Sequence, residues 1–93
     1  MYGSVFKMRP IKGKTDELKA VFMDDSRRPK GMTAAYMLVD DKDGSVWGMG
    51  VFDNEKSYRD NAASPEQDKE YQRFRALLEA DPEWHDGTIE AMA

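Results

Sequence analysis

The sequence predicts an α+β fold in which a four-stranded antiparallel sheet carries helices on one face. Three observations point there. Two apolar runs flank the acidic turn "DDKDGS", an amphipathic helical pattern follows the first strand and another the third, and four prolines fall where the hydrophobic pattern changes. The order is strand, helix, strand, strand, helix, strand, the split βαβ or ferredoxin-like arrangement. Ninety-three residues fit one hydrophobic core, so residues 1–93 are read as a single domain.

Ser4 to Arg9 alternates, with Phe6 and Met8 on one side and Val5, Lys7 and Arg9 on the other, and Pro10 ends the strand. After "IKGK", Thr15 is placed to cap a helix whose first turn holds Asp16 and Glu17, where the helix dipole favours negative charge. Leu18, Val21 and Phe22 share its apolar face. "DDSRRPKG" reads as the loop that follows.

Met32 to Val39 and Val46 to Phe52 read as two strands of a hairpin, because Asp43-Gly44 tolerates the positive φ of a tight turn. Asp53 or Asn54 caps a short helical turn through Tyr58. Ser64 then caps a second piece, with Pro65 at its first position and Gln67 closing a capping box. Tyr71, Phe74, Leu77 and Leu78 form its core face, and Asp81-Pro82 is expected to stop it. "EWHDG" is read as a turn before a last strand from Thr88 to Met92.

The hairpin strands are apolar on both sides. Met32, Ala34, Tyr36 and Leu38 alternate with Thr33, Ala35, Met37 and Val39, and Trp47, Met49 and Val51 alternate with Val46, Gly48, Gly50 and Phe52. Right-handed crossovers put both helical segments on one face of the sheet. The other face would then present more contiguous apolar surface than monomers usually tolerate. A second copy of the chain is the simplest cover, packing sheet on sheet as a homodimer.

The third strand running into its helix, "VWGMGVFDNEKSYRDNAASPEQDKEYQRFRALL", and the later "PEWHDG" resemble the antibiotic-biosynthesis-monooxygenase-like family. The resemblance covers nearly the whole chain and implies that the ferredoxin-like sheets pair as a dimeric α+β barrel. It implies a range of activities: cofactor-free oxygenation of polycyclic aromatic compounds, haem degradation, small-metabolite chemistry, or none known. Many members carry a His three residues before a Ser/Thr-Pro pair, often with a His or aromatic residue just after the pair. Asn61 and Glu66 hold those places here, which weighs against His-dependent chemistry. Haem-degrading members pair a first-strand Asn with a Trp and a helix His, whereas the first strand here offers Ser4 and Lys7.

His85 is the only histidine, so a polyhistidine metal centre is excluded and no metal site is expected. Between Trp84 and Asp86, its imidazole could be oriented by a carboxylate and act as a general base, with Tyr36 as a second catalytic candidate. The blander reading of His85 is a partly exposed turn residue. Trp47, Trp84, Met37, Met49 and Asn61 are candidates to line a substrate pocket, stacking on or yielding to a flat apolar ligand. Core and interface packing is the commoner fate of such aromatics. Asp41, Asp43 and Gly44 match part of a calcium loop, but Val39 and Gly50 stand where its first and last carboxylates belong. Arg27, Arg28 and Lys30 could draw an anion, though three loop cations are more often plain surface.

A net charge of -4 with interspersed signs argues against nucleic acid as a partner. The absence of cysteine excludes disulfides and thiolate chemistry. No signal sequence or membrane span is recognisable, so a cytoplasmic protein without membrane attachment is expected. No cofactor is expected. The leading expectation is a homodimer with an apolar pocket in each protomer, acting as a cofactor-independent monooxygenase on a small aromatic or hydrophobic metabolite. The alternative is a non-catalytic small-molecule-binding or accessory protein of the same fold.

Overall fold

The computed structural model describes residues 1–24 and 28–93. The part of the predicted loop holding Asp25, Ser26 and Arg27 lies outside the described residues, and with it Arg27's share of the cationic trio.

The chain runs β1 (Tyr2–Met8), α1 (Thr15–Met23), β2 (Met32–Val39), β3 (Val46–Phe52), α2 (Glu55–Ala62), α3 (Pro65–Arg75) and β4 (Glu83–Thr88). The four strands form one sheet in the order β2-β3-β1-β4, with every neighbouring pair antiparallel. This is the predicted ferredoxin-like α+β fold. Register assigns each side chain to a face, because neighbours across a sheet share a side. Met37, Gly48, Phe6 and Trp84 make one row across the four strands, and Ala35, Gly50, Ser4 and Asp86 the next. Phe6 touches Phe22 of α1, so these rows face the helices. On the other face run Tyr36, Met49, Val5 and His85, then Leu38, Trp47, Lys7 and Glu83.

Three departures from expectation carry a physical lesson. The last strand is Glu83–Thr88, not Thr88 to Met92, and "EWHDG" is strand rather than turn. Glu83, Asp86 and Gly87 are poor strand formers, yet β1 offers an edge whose residues Tyr2 to Lys7 pair in register with it. Tertiary pairing overrides weak local preference. Second, α3 ends at Arg75, ahead of Asp81-Pro82. Leu78 leaves the helical path to bridge Pro10, Ile11 N–H donates to the Leu77 carbonyl at 2.9 Å, and Glu79 N–H donates to the Arg9 carbonyl at 2.9 Å. Hydrogen bonds to the end of β1 replace another helical turn. Third, Thr15 is the first residue of α1, while Lys14 holds the cap position without a side-chain cap bond. Gly13, at φ 82°, turns the chain so that the Lys14 carbonyl accepts the first helical bond, from Leu18 N–H.

Smaller departures are a first strand shifted to Tyr2–Met8 and a Gln67 side chain that accepts from Asn61, while Ser64 N–H donates to the Asn61 carbonyl. Asn54 accepts from Ser57 N–H and starts α2, which runs past Tyr58 to Ala62. Ser64 accepts from Gln67 N–H at the start of α3, and Pro65 follows it. Gly44 takes φ 72° in the hairpin turn. There Asp43 accepts from both the amide and the hydroxyl of Ser45, and Asp40 accepts from Lys42 N–H, so the turn is braced by its own hydrogen bonds.

The tightest packing lies at one end of the helix-covered face. Met8, Leu18, Val46, Phe74 and Leu78 are buried together, with Phe6, Val21, Phe22, Met37, Tyr71 and Leu77 against them. Toward the other end the rows pass through Gly48 and Gly50. At those two positions the sheet has no side chains with which to fill the space under the helices.

Candidate functional site

That unfilled space is a cavity of about 510 Å³ between sheet and helices. It falls within the ~300–1,000 Å³ usual for small-molecule sites. Its floor is strand backbone at Gly48 and Gly50, where the alternating pattern of β3 puts hydrogen in place of side chains. The two glycines differ. A methyl on Gly48 would collide with the Phe6 ring, so that ring already occupies its share of the space. A methyl on Gly50 would meet only Met32 Cε at 3.7 Å, so the space above Gly50 is open.

An aromatic wall encloses the apolar part. Phe6 and Trp84 lie 4.8 Å apart between ring centroids, Phe22 and Phe74 5.0 Å, and Tyr71 and Phe74 5.3 Å in an edge-on pair. Trp84 remains 43% exposed, so one side of its indole is available to a ligand.

At the β1–β4 side the wall turns polar. Tyr58 O–H donates to Asp86 Oδ1 at 2.8 Å, and Arg59 Nη1 stands 3.9 Å from Asp86 Oδ2. Arg59 also donates to the Tyr2 hydroxyl at 2.8 Å. Burial, then the bond to Asp86, pushes the Tyr58 phenol up to about 12. It is therefore a neutral donor at physiological pH. Ser4 lies 4% exposed beside this pair, and its Oγ completes no hydrogen bond, although it is near enough to the phenol to favour its ionised form slightly. Among the described residues, four carboxylates, Asp24, Asp68, Glu70 and Asp86, contribute to the lining. No Lys or Arg lines the cavity among the described residues.

The structure brings Met37, Trp84 and Asn61 together on this cavity. Asn61 Nδ2 donates to Gln67 Oε1 at 3.1 Å, which fixes the amide at the α2–α3 junction. Tyr36 and Met49 reach the cavity while alternation turns their side chains to the other face, so they meet it at the strand backbone. His85 and Trp47 are placed on the face opposite the helices. The His85 ring is 58% exposed and stands 3.3 Å from Glu83 Oε1, while Asp86, expected to orient it, points to the helix side and binds Tyr58. Lys7 Nζ sits 5.4 Å from the Trp47 ring centroid on that same open face. Among the described residues no group of three or more His, Asp or Glu is placed to hold a metal ion.

Sequence reasoning missed the Tyr58–Asp86 pair, the role of Ser4 in the cavity wall and the spacing effect of Gly48 and Gly50. The glycines left a signal, since both share the Val46–Phe52 parity that alternation assigns to one face. Tyr58 and Asp86 are 28 positions apart and left none.

An α+β sandwich with one covered face, one open face and an aromatic cavity under the helices defines the class of this molecule. Solved structures narrow it. A protein of Chloroflexus aurantiacus J-10-fl, assigned by name to the antibiotic biosynthesis monooxygenases, superposes with a TM-score of 0.80 at 24% identity, over 99% of this chain and 95% of that one. SnoaB, a cofactor-independent oxygenase from Streptomyces nogalater, superposes with a TM-score of 0.81 at 21% identity, over 98% of this chain and 94% of that one. A Deinococcus radiodurans protein of the same naming gives 0.80 at 13% identity, over 100% and 96%. The chain has the antibiotic-biosynthesis-monooxygenase-like fold. No protein-family model and no curated protein matches it.

Proposed function

We propose that the protein is a homodimer, closed through the open sheet face, whose protomers each bind a small aromatic or hydrophobic metabolite and oxygenate it without a cofactor. The observation that carries this reading is the aromatic-walled cavity of about 510 Å³ with a polar side at Tyr58 and Asp86. The description of SnoaB as a cofactor-independent oxygenase supports the choice of chemistry.

On this reading the substrate itself is the reductant. An activated CH₂ carbon gives up one proton to a base, and the carbanion passes an electron to O₂ and then bonds to the superoxide formed; the second C–H breaks later, as the O–O bond does. Protonation gives a hydroperoxide, which loses water to leave a carbonyl. One oxygen atom enters the product, the other leaves as water, and the substrate carbon supplies all four electrons. The apolar wall excludes competing water, and Trp84 orients a flat ring. Asp86 is the base candidate on the cavity wall. His85 and Tyr36 remain candidates from the open face, where a second protomer would enclose them.

Oxygen uptake with a panel of anthrone-like and quinol compounds tests the reaction. Turnover by the wild type that falls at least about a hundredfold in Asp86→Asn, but not in His85→Ala, places the base on the cavity wall. The reverse result places it on the open face. No uptake with any compound, despite saturable binding, leaves the second reading, capture of a metabolite without chemistry. The position of the sole histidine on the face away from the cavity favours that reading.

A further inference from the structure

We propose that Ser4, beside the Tyr58–Asp86 pair, forms a subsite selecting an uncharged ligand that carries a hydroxyl on its flat apolar body; this rests on the reading that the cavity binds such a body. Three observations meet here. The Ser4 Oγ is buried on the cavity wall and makes no well-formed hydrogen bond; the Tyr58 phenol that it approaches has its own proton committed to Asp86. Its neighbour on β3 is Gly50, so nothing on the adjacent strand covers it. Asp86, its neighbour on β4, presents a carboxylate whose Oδ1 already accepts from the Tyr58 O–H.

The chemistry of the corner sets the ligand class. A hydroxyl both donates and accepts, so a ligand O–H can donate to Asp86 or Ser4 while accepting from Ser4 O–H. A bare hydrocarbon leaves Ser4 unsatisfied. An anionic head group would meet Asp86, and among the described residues no lining cation balances that carboxylate; the Arg59 guanidinium is already shared between Asp86 and the Tyr2 hydroxyl. Asp24 and Glu70 on the same lining are each paired with Arg73, at 3.6 Å and 3.0 Å. Their partner adds no free positive charge for an acid to use.

Isothermal titration calorimetry at pH 7 with naphthalene, 2-naphthol and 2-naphthoate separates the terms. The wild type should bind 2-naphthol about tenfold tighter than naphthalene, the effect of one net hydrogen bond, and 2-naphthoate more weakly than either. In Ser4→Ala the naphthol advantage should vanish while naphthalene affinity holds, and in Asp86→Asn the naphthoate penalty should shrink. Equal binding of naphthol and naphthalene by the wild type, or an advantage that survives Ser4→Ala, would overturn the subsite and leave the cavity reading standing. Failure of all three probes to bind removes both.

Discussion

At the scale of single residues, the polar corner shows where stability and function pull apart. A buried hydroxyl without a partner costs about 1–3 kcal/mol, so removing it should not harm the fold. Ser4→Ala is expected to keep or raise the urea midpoint, by about 1 kcal/mol in stability, with the m-value unchanged. A drop of that size would mean that the hydroxyl is bonded and the subsite misread. Tyr58 gives a second handle. Its folded pKa lies above the ordinary phenol value, so the native state holds this proton more tightly than the unfolded chain. The stabilisation is complete below pH ~10 and is lost as pH rises towards ~12. Of the four tyrosines, one should ionise late in absorbance at 295 nm, and that late step should disappear in Tyr58→Phe. A late step that persists would assign it to another phenol.

At the scale of elements, β3 decides how much room the site has. Gly50→Ala adds a methyl facing open space and removes a flexible residue from a strand interior, so it should stabilise the protein by a few tenths to about 1 kcal/mol while narrowing the cavity. Gly48→Ala drives the same methyl into Phe6 and should cost about 1–3 kcal/mol in thermal or urea unfolding. Equal effects at the two positions would contradict the geometry of the floor. The same strand shows what the sequence could reveal. Alternation and turn chemistry exposed the hairpin, the face of each residue and the parity of Gly48 and Gly50, because those are local properties. The caps at Asn54 and Ser64 were legible for the same reason. The end of α3 and the position of β4 were not, since Leu78 is fixed by a bridge to Pro10 and Glu83–Thr88 by bonds to β1, more than sixty residues away. His85 was misplaced with them. Read as a turn residue it could be oriented by Asp86, whereas on a strand the two must point to opposite faces.

At the scale of the whole molecule, the question is what covers the second face of the sheet. The chain is a slab of 35 × 34 × 21 Å, and its thin dimension suits one sheet and one helix layer about 10 Å apart, with no third layer. The helices α1, α2 and α3 are spent on the cavity side. On the bare side, Tyr36 is 67% and Leu38 57% exposed, in continuous rows with Met49, Val5 and Trp47. Charge enters those rows only towards β4, at Lys7 and Glu83, and the polar His85 stands beside them. An apolar half with a polar margin is the anatomy of a buried interface core and its rim. Two such faces packed together would bury on the order of 2,000 Å². Sedimentation should therefore report a species of twice 10.6 kDa for the wild type across the micromolar range. Leu38→Lys places an ammonium in the apolar half of both facing sheets at once, and should shift the protein to the monomer without loss of its circular-dichroism spectrum. Glu83→Lys, on the rim, should leave the dimer intact, because an exposed charge there is worth at most about 1 kcal/mol. If both variants and the wild type sediment alike as monomers, the open sheet is tolerated by water, and the exposed Tyr36 and Leu38 require another explanation.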